Sequence, residues 1–317
     1  MQFHQEQQAL GSIAQISLIT LDQPLAVKSM FDYLWKQIFM FELQFSRFLP
    51  QSELSTFNRN AGSKQQISPQ FKRLLKAAQD IGLAVDGLYN PFILPALQAV
   101  GYGPSIVKGH ETDSYDDHST RKVVALDNLI IGEDWAKIPK DTAIDLGGCG
   151  KGYLADQLAD QIKHKVSGYW ISLGGDVVFG GENDLHQAWR IGIQKAKSES
   201  SSTDIGWAEL ETQERYALAT SGTTARYGVA QGKLWHHLID PRTLQPSQTD
   251  VLTATVAAPS ALKADVLASC AVILGSEQAI PFLKHQKITS ALLQCRSIGR
   301  GDYNVSYGNI IHIDESA

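Results

Sequence analysis

Cysteine and methionine are scarce, with three of each in 317 residues. Cys149, Cys270 and Cys295 lie far apart and make no CxxC pair. Three thiols cannot all pair within one chain, so free cysteines are expected. Charge is also sparse, at 19% of residues, with a formal net charge of -5 and no long Lys/Arg block. That balance gives no general attraction to nucleic acid. No apolar run approaches the length expected of a bilayer span. The opening MQFHQEQQAL has neither the basic region nor the apolar stretch of a signal peptide. The cytoplasm is therefore the expected location, with export or membrane anchoring the alternative for a trimmed chain. No period repeats along the sequence, which excludes a solenoid.

What is present is an ordinary globular composition, 43% apolar. The length suits a single unit over 1–317, either one domain or two intimately joined lobes with a site between them. The β-branched run 13–21 predicts an opening strand. Apolar residues at mostly threes and fours over 25–45 predict a helix: Val27, Met30, Phe31, Leu34, Ile38, Phe41 and Phe45. Residues 47–62 read as a long loop or short helix, 70–82 as a second helix, and 86–103 as a segment broken by two prolines. A loop is expected over 108–120 and strands over 122–132 and 142–146. A helix is expected over 151–163, then two strands within 166–181 around a Gly-Gly-Asp turn. Further strands are expected at 188–193, 206–212, 216–220, 225–229, 233–239, 251–258 and 289–295. Helices are expected at 261–274, behind Ser260 as cap, and at 277–285. Strands and helices do not alternate regularly. The predicted class is mixed α+β with largely antiparallel sheets and packed helices, not a doubly wound sheet.

Three stretches carry candidate chemistry. In GGCGKG, Gly147, Gly148 and Gly150 let backbone amides approach a phosphate, and Lys151 can meet it as a point charge. A helix starting there adds a favourable dipole. The pattern is neither GxxxxGK[ST] nor GxGxxG, and a plain strand-to-helix turn explains it equally well. Within APSALKADVLASC, Asp265 and Ser269 are four apart and share a helical face. One carboxylate and one hydroxyl supply part of the oxygen shell of a hard cation such as Mg²⁺, though a surface pair has the same spacing. In WHHLIDPRT, His236 and His237 point to opposite sides of a strand, so one can face a cleft. A histidine near Asp240 is a plausible proton acceptor for an alcohol, and a structural turn is the plainer reading. ATSGTTARY, at 219–227, reads as a strand running into a hydroxyl-rich turn, suited to solvent or to a phosphate or flavin edge.

In order, the chain contains SRFLPQSELSTFNR, DGLYNPFILP, DLGGCGKGYLADQLAD, SLGGDVVFGG, ATSGTTARY, HHLIDPRT and APSALKADVLASCAVILG. This series resembles the ApbE-like family of FAD:protein FMN transferases, from about Leu10 to beyond Cys270. The resemblance implies a Mg²⁺-dependent enzyme that cleaves the pyrophosphate of FAD. FMN passes to a threonine hydroxyl of an acceptor flavoprotein subunit or domain, and AMP is released. By the same resemblance Asp265, Ser269 and the Gly150 carbonyl hold the metal. Asn58, Gly147, Gly148, Lys151, Asp156, Thr220, Ser221 and Gly222 line the nucleotide site. His237 takes the acceptor proton, with Asp240 orienting it. Leu244 stands where the family has the glycine of IDPRTG, a strained choice if that position needs positive φ. Cys149 replaces a usual apolar residue and packs as a small hydrophobe. Two other functions fit the same groups: Mg²⁺-dependent hydrolysis of FAD to FMN and AMP, and FAD binding without catalysis.

Overall fold

The computed structural model describes residues 1–102, 110–112, 122–196, 204–209, 214–230, 233–297 and 301–313. Its centre is an eight-stranded sheet. The strands are β1 (Gln2–Ala9), β2 (Ser12–Ile19), β3 (Gly168–Leu173), β4 (Asp176–Gly181), β5 (Tyr216–Gly222), β6 (Val251–Ala258), β7 (Ser290–Ser297) and β8 (Gly301–Tyr307). Spatial order follows chain order, and every neighbouring pair is antiparallel. The architecture is thus mixed α+β and largely antiparallel, as the sequence implied.

Side-chain alternation gives the sheet two apolar faces. Ala14, Ile16, Leu18, Ile171, Leu173, Val178, Ala217, Ala219, Val256 and Leu293 point into the main core. Their neighbours Ile19, Val177, Phe179, Leu218, Ala257 and Leu292 point into a second cluster on the other side. That cluster is closed by a three-stranded sheet of Arg190–Gln194, Asp204–Glu209 and Ile311–Ile313.

Among the described residues, six α-helices flank the sheet, and all but the fourth, which packs in a third cluster with Trp235, Ile239 and Leu244, contribute to the main core. They are α1 (Pro24–Phe45), α2 (Glu53–Arg59), α3 (Pro69–Ala84), α4 (Leu94–Ala99), α5 (Gly150–Ile162) and α6 (Ala261–His285). In α1, Val27, Phe31, Leu34, Trp35, Ile38, Phe41 and Phe45 form the buried face, after a proline in the first turn. Ser52, Ser68 and Ser260 cap α2, α3 and α6 by accepting a backbone N–H from Ser55, Phe71 and Lys263.

The two helices expected at 261–274 and 277–285 form one element, kinked where Gly275 takes φ +78°. With a mean hydropathy of 1.6, α6 is long and apolar enough to cross a bilayer, contrary to the expectation that no run would be. It serves instead as a core helix, packed on β5, β6 and α5.

Several expectations need correction. Residues 142–146 form no strand; the Asn58 amide donates to Ile144 O and accepts from Ile144 N, both at 2.9 Å, replacing a strand partner. Over 122–132 only Ile130–Ile131 is extended into a strand. The loop expected at 108–120 and the end of the strand at 206–212 lie largely outside the described residues, although His110–Thr112 pair in parallel with Gly228–Ala230. All three cysteines are free and buried.

Helices α5 and α6 approach closely enough that glycine is required between them. A Cβ on Gly152 would lie 2.5 Å from the Ala261 carbonyl oxygen and 2.8 Å from Leu262 Cα. Gly152→Ala should therefore destabilise the fold by about 1–3 kcal/mol, read as a lowered denaturant midpoint. An unchanged midpoint would show that the helices separate freely. At Gly148, by contrast, the same atom would meet only the Tyr89 ring, at 3.4 Å.

Candidate functional site

The turn before α5 is built by Asp145. One carboxylate oxygen accepts the Gly147 N–H at 2.8 Å, and the other pairs with Arg47 Nε at 2.7 Å in a largely buried ion pair. The helix then begins at Gly150, with no side-chain cap from Cys149. The Gly150 N–H donates to the Leu146 carbonyl at 2.7 Å, while the other first-turn amides have no intrahelical acceptor. One of them, the Gly152 N–H, faces the carboxylate of Asp265 on α6.

Asp265 is buried, and its Oδ2 has no hydrogen-bond partner among the described residues. Burial, and then the charge of Asp176, push its pKa up to about 8, against the pull of Lys151, the Gly152 amide and Arg226. An orphaned buried carboxylate oxygen is costly without a cation or a proton. Ser269 lies one turn further along α6, and its Oγ is 2.8 Å from Ser221 Oγ at the end of β5. Gly150 opens α5 two residues before the amide that faces Asp265.

Lys151 is engaged with Asp176, Nζ to Oδ2 at 2.7 Å. Burial would lower the lysine pKa, but the charges of Asp176 and Asp265 outweigh it and hold it above the ordinary value. Lys151 therefore remains cationic. The other Asp176 oxygen accepts the Thr220 N–H at 3.2 Å, tying β4 to β5.

The hydroxyls of the TSG stretch do not share one wall. Thr220, Ser221 and Gly222 are the last residues of β5, paired with Thr255, Ala254 and Thr253, and not a turn. Alternation sends Ser221 toward the helices. Thr220 points to the opposite face, where its Oγ1 lies 2.9 Å from Thr255 Oγ1. Gly222 fits closely against β6, since a Cβ there would sit 2.7 Å from the Leu252 carbonyl oxygen.

Two residues expected to face the nucleotide have other occupations. The Asn58 amide is engaged at both ends by the Ile144 backbone. Asp156 accepts from Ser260 Oγ at 2.8 Å, Ala261 N at 2.9 Å and Leu262 N at 3.0 Å. Its carboxylate thus caps α6 and complements the positive end of that helix dipole. Both residues position the site's framework: Asn58 the turn before α5, Asp156 the helix that carries Asp265 and Ser269.

The histidine wall also differs from expectation. The strand ends at His236 (Lys233–His236), so His237 begins the following bend. His237 Nδ1 lies 3.3 Å from the Arg226 carbonyl, which only accepts, so the proton sits on Nδ1 and Nε2 carries the lone pair. Burial, then the Arg226 charge, push the His237 pKa down to about 3, and the ring is neutral. The Tyr102 ring lies beside it, with centroids 5.8 Å apart. His236 is fixed by Nε2–H donating to Ser247 O at 2.9 Å, and burial lowers its pKa too.

Asp240 does not orient His237. Its carboxylate is engaged by Arg242, Nε to Oδ1 at 2.9 Å and Nη2 to Oδ2 at 2.7 Å, within its own turn. The Arg226 carbonyl takes the orienting role instead. Leu244 adopts φ +58°, so that position does need the left-handed region. Its side chain is buried with Trp235, Ile239 and Leu97, packing that offsets the strain.

Three contributors were not singled out in the sequence: Asp176, Arg226 and the Arg47–Asp145 pair. The Gly-Gly-Asp of SLGGDVV and the arginine within TTARY were visible. The partner of Asp176, Lys151 25 residues before it, was not.

A model of the ApbE family matches residues 10–293. A FAD:protein FMN transferase of Vibrio cholerae is 26% identical over 263 residues, spanning 82% of this chain and 78% of the relative. Among solved structures, the flavin transferase ApbE from Vibrio cholerae superposes with a TM-score of 0.79 at 24% identity, covering 97% of both chains. The apo flavinyl transferase ApbE of Pseudomonas stutzeri gives 0.81 at 23% identity, over 97% of this chain and 95% of the other. These structural likenesses bear on the fold, which they share with the eight-stranded sheet and its helices.

Proposed function

This chain belongs to the ApbE family, and from that premise we propose that it is a FAD:protein FMN transferase. In this reading it moves FMN from FAD to a threonine hydroxyl of an acceptor flavoprotein and releases AMP. The observation that carries the proposal is the orphaned Oδ2 of Asp265, buried at the start of α5 beside Lys151 and the Ser221–Ser269 pair. Such a group suits a site built for a cation and a polyphosphate.

Mg²⁺ fits the oxygen donors present. No cluster of three or more His, Cys, Asp and Glu suited to a metal occurs among the described residues. One carboxylate with hydroxyl and carbonyl oxygens is, however, the donor set of a hard cation that keeps part of its water and binds substrate phosphate. Asp265, Ser269 and the Gly150 carbonyl would hold it. When bound, it would withdraw charge from the pyrophosphate.

The chain's own groups do the rest. Lys151, held cationic by Asp176, adds positive charge at the mouth of α5. His237, with Nδ1–H donated to the Arg226 carbonyl, offers Nε2 to the acceptor hydroxyl. The threonine oxygen forms a bond to the FMN phosphorus as its proton passes to Nε2. The bond from that phosphorus to the bridging oxygen breaks, and the electron pair leaves with AMP. Charge neutralisation and alignment dominate such a phosphoryl transfer.

The test is mass spectrometry of a threonine-bearing acceptor peptide incubated with FAD, Mg²⁺ and this protein. A mass gain equal to FMN, with equimolar AMP, is expected. AMP released at an undiminished rate without acceptor would identify a hydrolase instead. Tight FAD binding without AMP would identify a carrier.

A further inference from the structure

We propose that Arg226 binds the pyrophosphate of the dinucleotide substrate through its guanidinium group. This inference rests on the flavin-nucleotide reading of the site given above. Arg226 ends the bend between β5 and the strand Tyr227–Ala230, whose first residue pairs with His236. Its position is set from the backbone. The carbonyl receives the His237 backbone N–H at 3.2 Å and the His237 Nδ1–H at 3.3 Å.

The side chain has no such fixture. Arg47, Arg215, Arg242 and Arg296 each engage a carboxylate: Asp145, Asp160, Asp240 and Asp302. The half-buried Arg226 meets no carboxylate or carbonyl acceptor among the described residues. Yet its charge acts on Lys151, Asp265 and His237, so it belongs to this site. Lys151 already has Asp176 as counter-ion, whereas Arg226 makes no ion pair among the described residues.

A partly desolvated guanidinium without a partner is disfavoured unless an anion arrives. Its planar fork matches two phosphate oxygens, a geometry that a lysine ammonium does not offer. The same residue fixes the His237 ring by its carbonyl. Phosphate held by its side chain would therefore stand in a defined relation to the base.

The test compares wild type, Arg226→Gln and Arg226→Lys for binding of FAD, ADP and riboflavin, by flavin fluorescence and calorimetry. Both substitutions keep the backbone carbonyl. R226Q should weaken FAD and ADP by about ten- to hundredfold and leave riboflavin, which lacks phosphate, unchanged. R226K should fall between, because it restores charge without the fork. Unchanged ADP affinity in R226Q, with wild-type binding intact, overturns the arginine assignment alone. Equal weakening of riboflavin also overturns it, by showing a general loss of the site. Failure of the wild type to bind FAD or ADP overturns the flavin-nucleotide reading and this inference with it.

Discussion

Asp265→Asn should lower FMN transfer by about 10²-fold or more while making the metal-free protein more stable at neutral pH. The two effects share one cause. The folded protein holds the Asp265 carboxyl at a pKa of about 8, chiefly by burial, with the Asp176 charge second. The unfolded chain returns it to about 3.9. A group whose pKa is raised by folding binds its proton more tightly in the native state. Its stabilising contribution is complete below pH about 4 and is lost as the pH rises through about 8. The metal-free wild type should therefore weaken over that window, and D265N should not. A difference in melting temperature, with chelator present, should open from pH 5 to pH 8. Adding Mg²⁺ at pH 8 should close most of it for the wild type and leave D265N unmoved. Asparagine keeps the shape of the side chain but removes the formal charge that a hard cation requires. Native-rate transfer by D265N, or identical melting curves across the pH range, would remove Asp265 from the metal role.

The interior of the sheet was legible because its strands are apolar. IAQISLITL, SGYWISL and VLTATVAA are buried on at least one face, and their composition follows from that. The edges were not legible. QFHQEQQA and GDYNVSY, which form β1 and β8, are mostly exposed and rich in polar side chains. Such residues protect a sheet edge from further pairing, and they lack the apolar pattern by which the inner strands are read. The break expected between helices at 261–274 and 277–285 falls at Gly275, but it is a kink within one helix rather than a gap between two.

Within the site, what depended on local spacing was readable. Asp265 and Ser269 fall one turn apart on α6. Lys151 falls in the first turn of α5. What depended on long-range partners was not. Asn58 and Asp156 are polar residues in motif segments, and nothing local reveals that the backbone at 144 and at 261–262 uses them up. Asp240 failed for the opposite reason: its partner, Arg242, is only two residues away. The TSG stretch was assigned as a turn because its hydroxyls mimic turn composition. The β5–β6 pairing carries the strand through Gly222 and sends Thr220 and Ser221 to opposite faces.

His237→Ala should leave FAD binding intact and lower single-turnover FMN transfer by about 10²–10⁴-fold. His236→Ala should be milder in transfer and costlier in stability. The distinction lies in which nitrogen each ring leaves available. His237 is held through Nδ1–H to the Arg226 carbonyl, and its Nε2 has no hydrogen-bond partner among the described residues. His236 uses Nε2–H on the Ser247 carbonyl, and its Nδ1 is buried and unpartnered. Removing His236 deletes a bond across the chain reversal; removing His237 deletes the ring lone pair that no described residue engages. The pH profile adds a second check. An ordinary histidine base near 6.5 would lose activity between pH 7 and 5. With its pKa pushed to about 3, His237 stays neutral throughout that range. Acid loss there should follow protonation of Asp265 instead, and raising Mg²⁺ should move the acid limb to lower pH, because cation and proton compete for one carboxylate. An acid limb that ignores Mg²⁺ would return the titration to a histidine. Native-rate transfer by H237A together with a dead but folded H236A would assign the base to the other ring.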